Sequence, residues 1–266
     1  MQRMVKSIIK HRELIWQLTK RDVVGRYKGS WLGLLWAVVT PFGMIALYGF
    51  VFGVVMGVRW QRGDTATGTE FVGPMFAGMI VFLFVSECIS RAPGVVVGHA
   101  ELVKKVAFPT EALCSAIVAA ALVQAMISLV LLWLWLLVSG RGASWQFFAF
   151  VFPWIPLILF ALGTTFFLAA LGVFVRDISQ VTGLLNSALL LLSPVMYPLS
   201  AVPESFRPIV QANPLTPFVE TVRSLTVFGQ APELAPSIFI IVIGVTAFVL
   251  GSYAFARSQH AFVDVL

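Results

Sequence analysis

Six stretches of the chain carry no charged residue: Trp31–Val58, Phe71–Ser86, Ala112–Gly140, Gly142–Val175, Ile178–Pro203 and Leu234–Ala256. A helix needs about 20 apolar residues to cross the ~30 Å hydrocarbon core of a bilayer. Five of the stretches exceed that length, and the second, though shorter, resumes beyond Glu87 at Val95–Val97. A membrane β-strand would show about ten residues of alternating polarity. The segment Leu129–Val138 (LVLLWLWLLV) has no such alternation. The pattern predicts an all-α integral membrane protein with six transmembrane helices, and it speaks against a soluble protein with buried helices.

Between and before these runs the pattern changes character. In residues 1–30 the apolar positions Val5, Ile8, Ile9, Ile15, Trp16 and Val23 recur at near-helical spacing among lysines and arginines. This predicts an amphipathic helix lying on the cytoplasmic membrane surface, ahead of a six-span domain over residues 31–266. A flexible basic tail is the other reading, but a tail has no need of the Leu14-Ile15-Trp16 cluster. Charges interrupt every apolar run in this region, so it is not a cleavable signal peptide. The polar loop over residues 99–111 is long enough for one short surface helix. Residues 201–233 are apolar yet broken by Pro203, Pro208, Pro214, Pro217 and Pro232. Such a segment dips into the membrane only where protein or a water-filled cavity shields its backbone. Together with Phe206, Ile209, Val210, Phe218 and Val219, the prolines predict two short re-entrant helices between the fifth and sixth spans rather than a plain external loop.

Composition and charge refine this picture. Of the 266 residues, 59% are hydrophobic and 11% charged, against about 45–50% and about 25% in soluble domains. With six spans both termini share one side. If that side is cytoplasmic, the inside segments hold 13 of the lysines and arginines and the outside segments 5. The positive-inside rule therefore puts both termini in the cytoplasm. The net charge of +6 reads as a topology signal suited to anionic lipid, with no call for nucleic acid. Cys88 and Cys114 fall near cytoplasmic span ends and are expected to be free thiols.

The chemistry is defined mainly by what is missing. No Gly-Lys pair occurs, so the phosphate loop of an ATPase is absent. There is no His/Cys cluster for a metal and no serine elbow; the chain is expected to bind no cofactor and to be no enzyme. Intramembrane acids and bases mark ion-coupled transporters, and five of the six runs have none. Glu87 and Arg91, four residues apart, either pair at a membrane boundary or serve a gate or substrate. Trp36, Tyr48, Phe52 and Tyr197 are candidates to line a sugar path, with ordinary packing as the alternative for each. Arg21, Arg26, Lys28, Lys104 and Lys105 suit a pyrophosphate head group, and equally suit topology and anionic lipid.

Four motifs in order carry a resemblance. They are Arg21-Asp22…Arg26-Tyr27…Leu32-Gly33…Trp36…Pro41; Lys104-Lys105-x-x-Phe108-Pro109-x-Glu111; Phe174-Val175-Arg176-Asp177-Ile178; and Pro194…Tyr197-Pro198…Asn213-Pro214-Leu215…Glu220…Arg223. Over essentially its whole length the chain resembles the membrane permeases of ABC-type polysaccharide exporters, which handle O-antigen, capsule or teichoic acid. The unbroken Arg-Tyr-Lys-Gly-Ser-Trp-Leu-Gly stretch looks more like the O-antigen branch. The resemblance implies a homodimer in the bacterial inner membrane, docked from the cytoplasm by two copies of an ATPase that binds ATP and Mg. The substrate it implies is a polysaccharide carried on a polyprenyl-pyrophosphate lipid. By the same resemblance Lys104, Lys105, Phe108 and Pro109, with Glu13, Arg21 and Asp22 on the helix around Glu13–Lys28, would couple to the ATPase. Arg26, Tyr27, Lys28 and Arg91 would receive substrate, Trp36, Tyr48, Phe52 and Tyr197 would line its path, and the outer re-entrant helices would close the exit. A permease for small hydrophobic molecules shares the six-span plan and is the alternative. An intramembrane enzyme would need clustered acids or bases at one depth, and a passive channel would not need a loop fitted to an ATPase.

Overall fold

A computed structural model describes residues 2–57, 60, 69–105, 108–139, 151–175, 177–231 and 233–265. The described residues are helical or connecting, with no strand among them. The first helices are α1 (Gln2–Lys10), α2 (Arg12–Tyr27) and α3 (Trp36–Tyr48), the last continuing as a π-helical stretch over Gly49–Val55. Then come α4 (Thr69–Val97), α5 (Ala100–Lys105), α6 (Thr110–Val138), α7 (Val151–Phe174) and α8 (Ile178–Leu192). The chain closes with α9 (Arg207–Ala212), α10 (Thr216–Thr226), α11 (Leu234–Ser258) and α12 (Phe262–Val265). Among the described residues, five helices are long and apolar enough to cross a membrane: α3 with its continuation, α4, α6, α7 and α11.

Two elements depart from the hydropathy pattern for local reasons. The fifth apolar run extends to Pro203, but α8 stops at Leu192 after 15 residues, about 22 Å at the helical rise. Pro194 forces the preceding residue out of the helical region, and Ser193 sits at φ −93°, ψ 144°. At the N-terminus a single helix was expected, and the segment folds as two, α1 and α2. They meet at His11, whose ring Nδ1 lies 3.0 Å from the Ser7 carbonyl, while its backbone sits at φ −99°, ψ 21°. The second apolar run does continue through Glu87, and α4 ends at Val97.

The main core lies where α4, α6, α7 and α10 meet, around Phe76, Phe84, Leu132, Leu157 and Phe218. A second cluster joins α4, α6, α7 and α11 to the N-terminal helix through Val96, Cys114, Phe166, Phe255 and Met4. Both cysteines are free and buried. α3, α8 and α11 keep much of their apolar surface exposed, including Phe42, Phe50, Leu184, Leu191 and Val242. In water that would be untenable; it is the surface a membrane protein presents to lipid or to another subunit.

One end of the bundle gathers the chain termini. Glu111, buried in the first turn of α6, accepts a hydrogen bond from Ser7 of α1 and another from Gln259, 3.3 Å away, just beyond α11. α5 packs on α4 and α12 at this same end.

Candidate functional site

The site begins with the last turns of α2, which lie against α4 and the first half of α6. An Asp, an Arg and a Tyr at positions 22, 26 and 27 fall on one side of a helix because four residues complete about one turn. Arg91 of α4 grips the Asp22 carboxylate with both terminal nitrogens, at 2.8 and 2.7 Å. Arg26 donates to Asp22 at 3.0 Å and pairs closely with Glu87, which also accepts from Arg91 at 3.2 Å. The four groups form one alternating network across two helices, each about a quarter to a third exposed.

Burial opposes the charged form of Asp22, but the hydrogen bonds and charges of Arg91 and Arg26 outweigh it and hold its carboxyl below the ordinary 3.8. Burial also opposes charge on Arg26, and there Glu87 and Asp22 win, raising it above the ordinary guanidinium value. A depressed acid contributes stability above its unfolded value and loses it as pH falls through the folded one. Docking of α2 should therefore be unchanged between pH 8 and 5 and weaken only below about pH 4. Fluorescence quenching between labels on α2 and α6 would follow it. In Asp22→Asn the acid transition should vanish and docking should weaken by about 1–2 kcal/mol, the range for partly exposed charged bonds. An unchanged acid transition in that variant would refute the assignment to Asp22.

Next to this network, Tyr27 donates its hydroxyl to Gln124 of α6 at 2.9 Å. The Gln124 amide nitrogen donates in turn to the Ala37 carbonyl of α3, also at 2.9 Å. The reason lies in the sequence. Within a helix that carbonyl would accept from residue 41, and Pro41 has no N–H to give. Gln124 fills the vacancy and so ties α2, α3 and α6 at one point. Between them lies a cleft of about 350 Å³ lined by Arg26, Tyr27, Trp36, Phe84, Glu87 and Gln124, among others.

The residues expected to line a path are not gathered into this cleft. Trp36 borders it, whereas Tyr48, Phe52 and Tyr197 pack half-buried against the main core. Tyr48 and Phe52 sit 6.4 Å apart centroid to centroid, and the Tyr197 hydroxyl donates to the Leu191 carbonyl at 2.9 Å. The expected coupling residues divide between two segments. Lys104 is exposed on α5, Phe108 packs on the second core, and Pro109 caps α6. Lys105 ends α5 and its side chain lies outside the described residues, as do Val106, Ala107 and Arg176. Glu13, Arg21 and Lys28 are exposed on or just after α2.

A second buried constellation was not among the expected site residues. Arg223 of α10 is 0% exposed. It donates to the carbonyls of Pro74 (3.0 Å), Pro194 (2.6 Å) and Val195 (3.3 Å), and to Glu220 at 2.5 Å. Its guanidinium also lies 4.0 Å over the Trp60 ring. Asn213 works beside it, donating to Ser193 at 2.9 Å while its side-chain oxygen accepts from the Leu215 N–H at 2.9 Å. The Asn-Pro-Leu turn thus ties the start of α10 to the broken end of α8. The signal for Gln124 was its position as the lone amide in its apolar run. For Arg223 it was a charge set in a segment otherwise rich in Phe, Val and Pro.

Comparison with known sequences decides the family. The profile of the ABC-2 type transporter family matches residues 13–227, most of the chain. The chain belongs to the ABC-2 type transporter family. This ABC-2 chain is therefore a multi-pass membrane protein of a family of transporter permease subunits, which are not themselves enzymes. It is 27% identical to the O-antigen export system permease protein RfbA of Myxococcus xanthus, over 98% of both chains. It is 25% identical to the protein of the same name from Klebsiella pneumoniae, over 96% of this chain and 95% of that one. With the polysialic acid transport protein KpsM of Escherichia coli it shares 24% identity over 80% of this chain and 81% of the other. The family match takes in the α2–α4 network, Gln124 and Arg223 alike.

Proposed function

We propose that this chain is the membrane-spanning subunit of an ATP-driven exporter that carries a lipid-linked polysaccharide, O-antigen or a similar surface glycan, across the bacterial inner membrane. The observation that carries the reading is the similarity to the Myxococcus O-antigen permease over 98% of both chains. In this reading two copies form the channel and two copies of a separate ATPase supply ATP hydrolysis with Mg. Six crossings put both termini in the cytoplasm, where the basic N-terminal segment lies on the membrane as an interface element. α8 with the turns over Ser193–Pro198 makes the fifth crossing, and α9 and α10 form a re-entrant pair over residues 201–233. The seat of Arg223 supports that pair: its partner Pro74 and the neighbouring Gly78 lie in the first turns of the α4 span, within about 10 Å of Phe71 at the helical rise, while its partners Pro194 and Val195 lie in the break after α8.

The cytoplasmic end then carries the division of labour. The segment over residues 99–111, with Lys104, Lys105, Phe108 and Pro109, and the exposed face of α2, with Glu13 and Arg21, meet the ATPase. The network end of α2, with Arg26, Tyr27, Lys28 and Arg91, receives the pyrophosphate-bearing lipid. Trp36, Tyr48, Phe52 and Tyr197 contact sugar on its way out. Because α5 packs on α4 and α12, a push on residues 99–111 is transmitted straight into the second span.

The test is co-expression with the neighbouring ATPase candidate, purification, and hydrolysis with and without lipid-linked polymer. A fixed two-plus-two complex stimulated by polymer is expected. Stimulation only by small hydrophobic compounds would turn the reading to a drug-type permease, and a chain that purifies alone would remove the exporter. Replacing Phe108 and Pro109 together by alanine should lower export and polymer-stimulated hydrolysis about tenfold, the scale of a typical coupling free energy, while membrane insertion persists. Normal export by the double variant would dismiss the coupling role.

A further inference from the structure

Where α11 begins, at the end of that helix away from the chain termini, a cleft of about 650 Å³ opens between α9, α10 and the first turns of α11. We propose that this cleft binds a primary ammonium group, carried either by the head group of an ethanolamine phospholipid or by a soluble amine.

The side chains of this cleft offer many acceptors and few donors. Thr216, Thr221 and Ser224 line it, and each hydroxyl spends its proton on a backbone carbonyl, those of Val210, Pro217 and Thr221, at 2.5, 2.7 and 3.0 Å. Such a hydroxyl presents only oxygen lone pairs to a ligand. Glu220 gives one carboxylate oxygen to Arg223 at 2.5 Å and has the lone pairs of the other to offer. Glu233 caps α11 through its backbone carbonyl, which accepts from Ser237, so its carboxylate is not spent on the helix end. Among the described residues no lysine, arginine or histidine lines the cleft, and its side-chain donors are the amides of Gln211 and Gln230. Pro217 and Pro236 stand in the first turns of α10 and α11, where backbone N–H groups are otherwise free, and proline has none. An ammonium matches such a surface, with a positive charge, three N–H donors and no acceptor. A phosphate would add acceptors and negative charge, and each hydroxyl of a neutral sugar brings two lone pairs with its single proton. Phe239, half exposed on the cleft wall, adds a ring face that attracts a cation. Beyond it Leu234, Ile238 and Val242 stay exposed along α11, a surface for the acyl chains if the ammonium belongs to a lipid.

This site goes beyond the export reading and does not rest on it, since binding is measured on the purified full-length chain without ATPase or polymer. Native mass spectrometry would titrate the chain with phosphatidylethanolamine, with phosphatidylglycerol, and with phosphatidylcholine, whose ammonium carries no N–H. Phosphatidylethanolamine is expected to be held about tenfold more tightly than either, the scale of one charged hydrogen bond. Glu233→Gln should erase most of that preference. Ala235→Trp, at an exposed position on the cleft wall, should abolish binding by filling the space while leaving every charge in place. Glu204→Gln removes a carboxylate that is 89% exposed and lies outside the cleft, and should change nothing. Putrescine separates the two sources: its binding in place of the lipid would make the occupant a soluble amine, and retention of the lipid against it would make the occupant the phospholipid. Equal retention of phosphatidylglycerol or phosphatidylcholine, or unchanged binding by both Glu233→Gln and Ala235→Trp, would overturn the proposal.

Discussion

Arg223→Leu is expected to insert in the membrane and yet fail to hold α8, α9 and α10 against α4. The guanidinium satisfies three backbone carbonyls from two separated parts of the chain, those of Pro74, Pro194 and Val195, and one carboxylate. Two of the carbonyls belong to the break after α8, where Pro194 has ended the helix and no backbone N–H follows in register to donate to them. An unsatisfied buried acceptor costs about 1–3 kcal/mol, and losing the guanidinium strands three of them. A loss of about 4 kcal/mol or more would consume much of a folding margin of about 5–15 kcal/mol. Thermal unfolding in detergent, with limited proteolysis of residues 201–233, would report it. Arg223→Lys should recover only part of the loss, because an ammonium cannot fork to three carbonyls. Glu220→Gln should be mild: the Glu220 side chain is 39% exposed and the amide still accepts. Gly78→Val tests the same contact from the opposite side, since a Cβ there would come within 2.8 Å of an Arg223 terminal nitrogen. Wild-type melting and protease resistance in Arg223→Leu would end this account.

That arginine also shows where hydropathy stops being informative. The long spans were legible because a membrane imposes one simple demand, about 20 apolar residues per crossing, and α3, α6, α7 and α11 follow runs that meet it. The continuation of α4 past Glu87 was legible too, since charges at a boundary end neither a helix nor its hydrogen bonding. The end of α8 was not. The run to Pro203 is uncharged throughout, and the helix breaks because of one proline and because Arg223, 29 residues away, takes over the freed carbonyls. The split at His11 was hidden for a similar reason, as apolar spacing continues smoothly across it while a side chain turns back on its own backbone.

The candidate site was half legible. Arg21, Asp22, Arg26, Tyr27 and Arg91 were picked out singly, and Glu87 was noted as a partner of Arg91 within α4. The bond across helices, Arg91 to Asp22, could not be read from spacing, because it depends on how α2 lies on α4. Gln124 went unassigned because its role answers a vacancy made by Pro41, in a different helix. Both omissions have one cause. A backbone group freed by proline must find a partner when buried, but sequence alone does not say which distant side chain supplies it. Among the path candidates, the structure puts Trp36 on the cleft beside Tyr27 and packs Tyr48, Phe52 and Tyr197 on the core. Aromatic type and membrane depth selected all four without distinguishing these positions.

The other change of largest expected effect is Gly251→Leu, together with its counterpart Gly163→Leu. α7 and α11 form the closest helix pair in the fold, and glycines make that approach possible. A Cβ on Gly251 would strike the Gly163 carbonyl, one on Gly163 the backbone of Ala247 and Phe248, and one on Gly244 the backbone of Pro156. In lipid no hydrophobic force presses two apolar helices together, so close backbone packing supplies much of their association. Gly244 and Gly251 are seven residues apart, two helical turns, which puts both on the seam. Leucine at either central position must part the helices, and backbone atoms cannot yield as a flexible side chain does. The expected cost is about 3 kcal/mol or more, read as a lower melting temperature and as loss of cysteine cross-linking between α7 and α11. Gly43→Ala is the control. A Cβ there meets nothing within 4 Å, so the chain's own fold should tolerate it. The consequence should also reach the end of the bundle that gathers the termini. Beyond α11, Gln259 bonds Glu111 at the start of α6, and Phe262 packs on Phe255 at 5.4 Å between centroids. A parted α7–α11 seam should therefore loosen α12 and the α5 segment it supports. Gly251→Leu with unaltered cross-linking would mean that the seam is not what holds the two helices together.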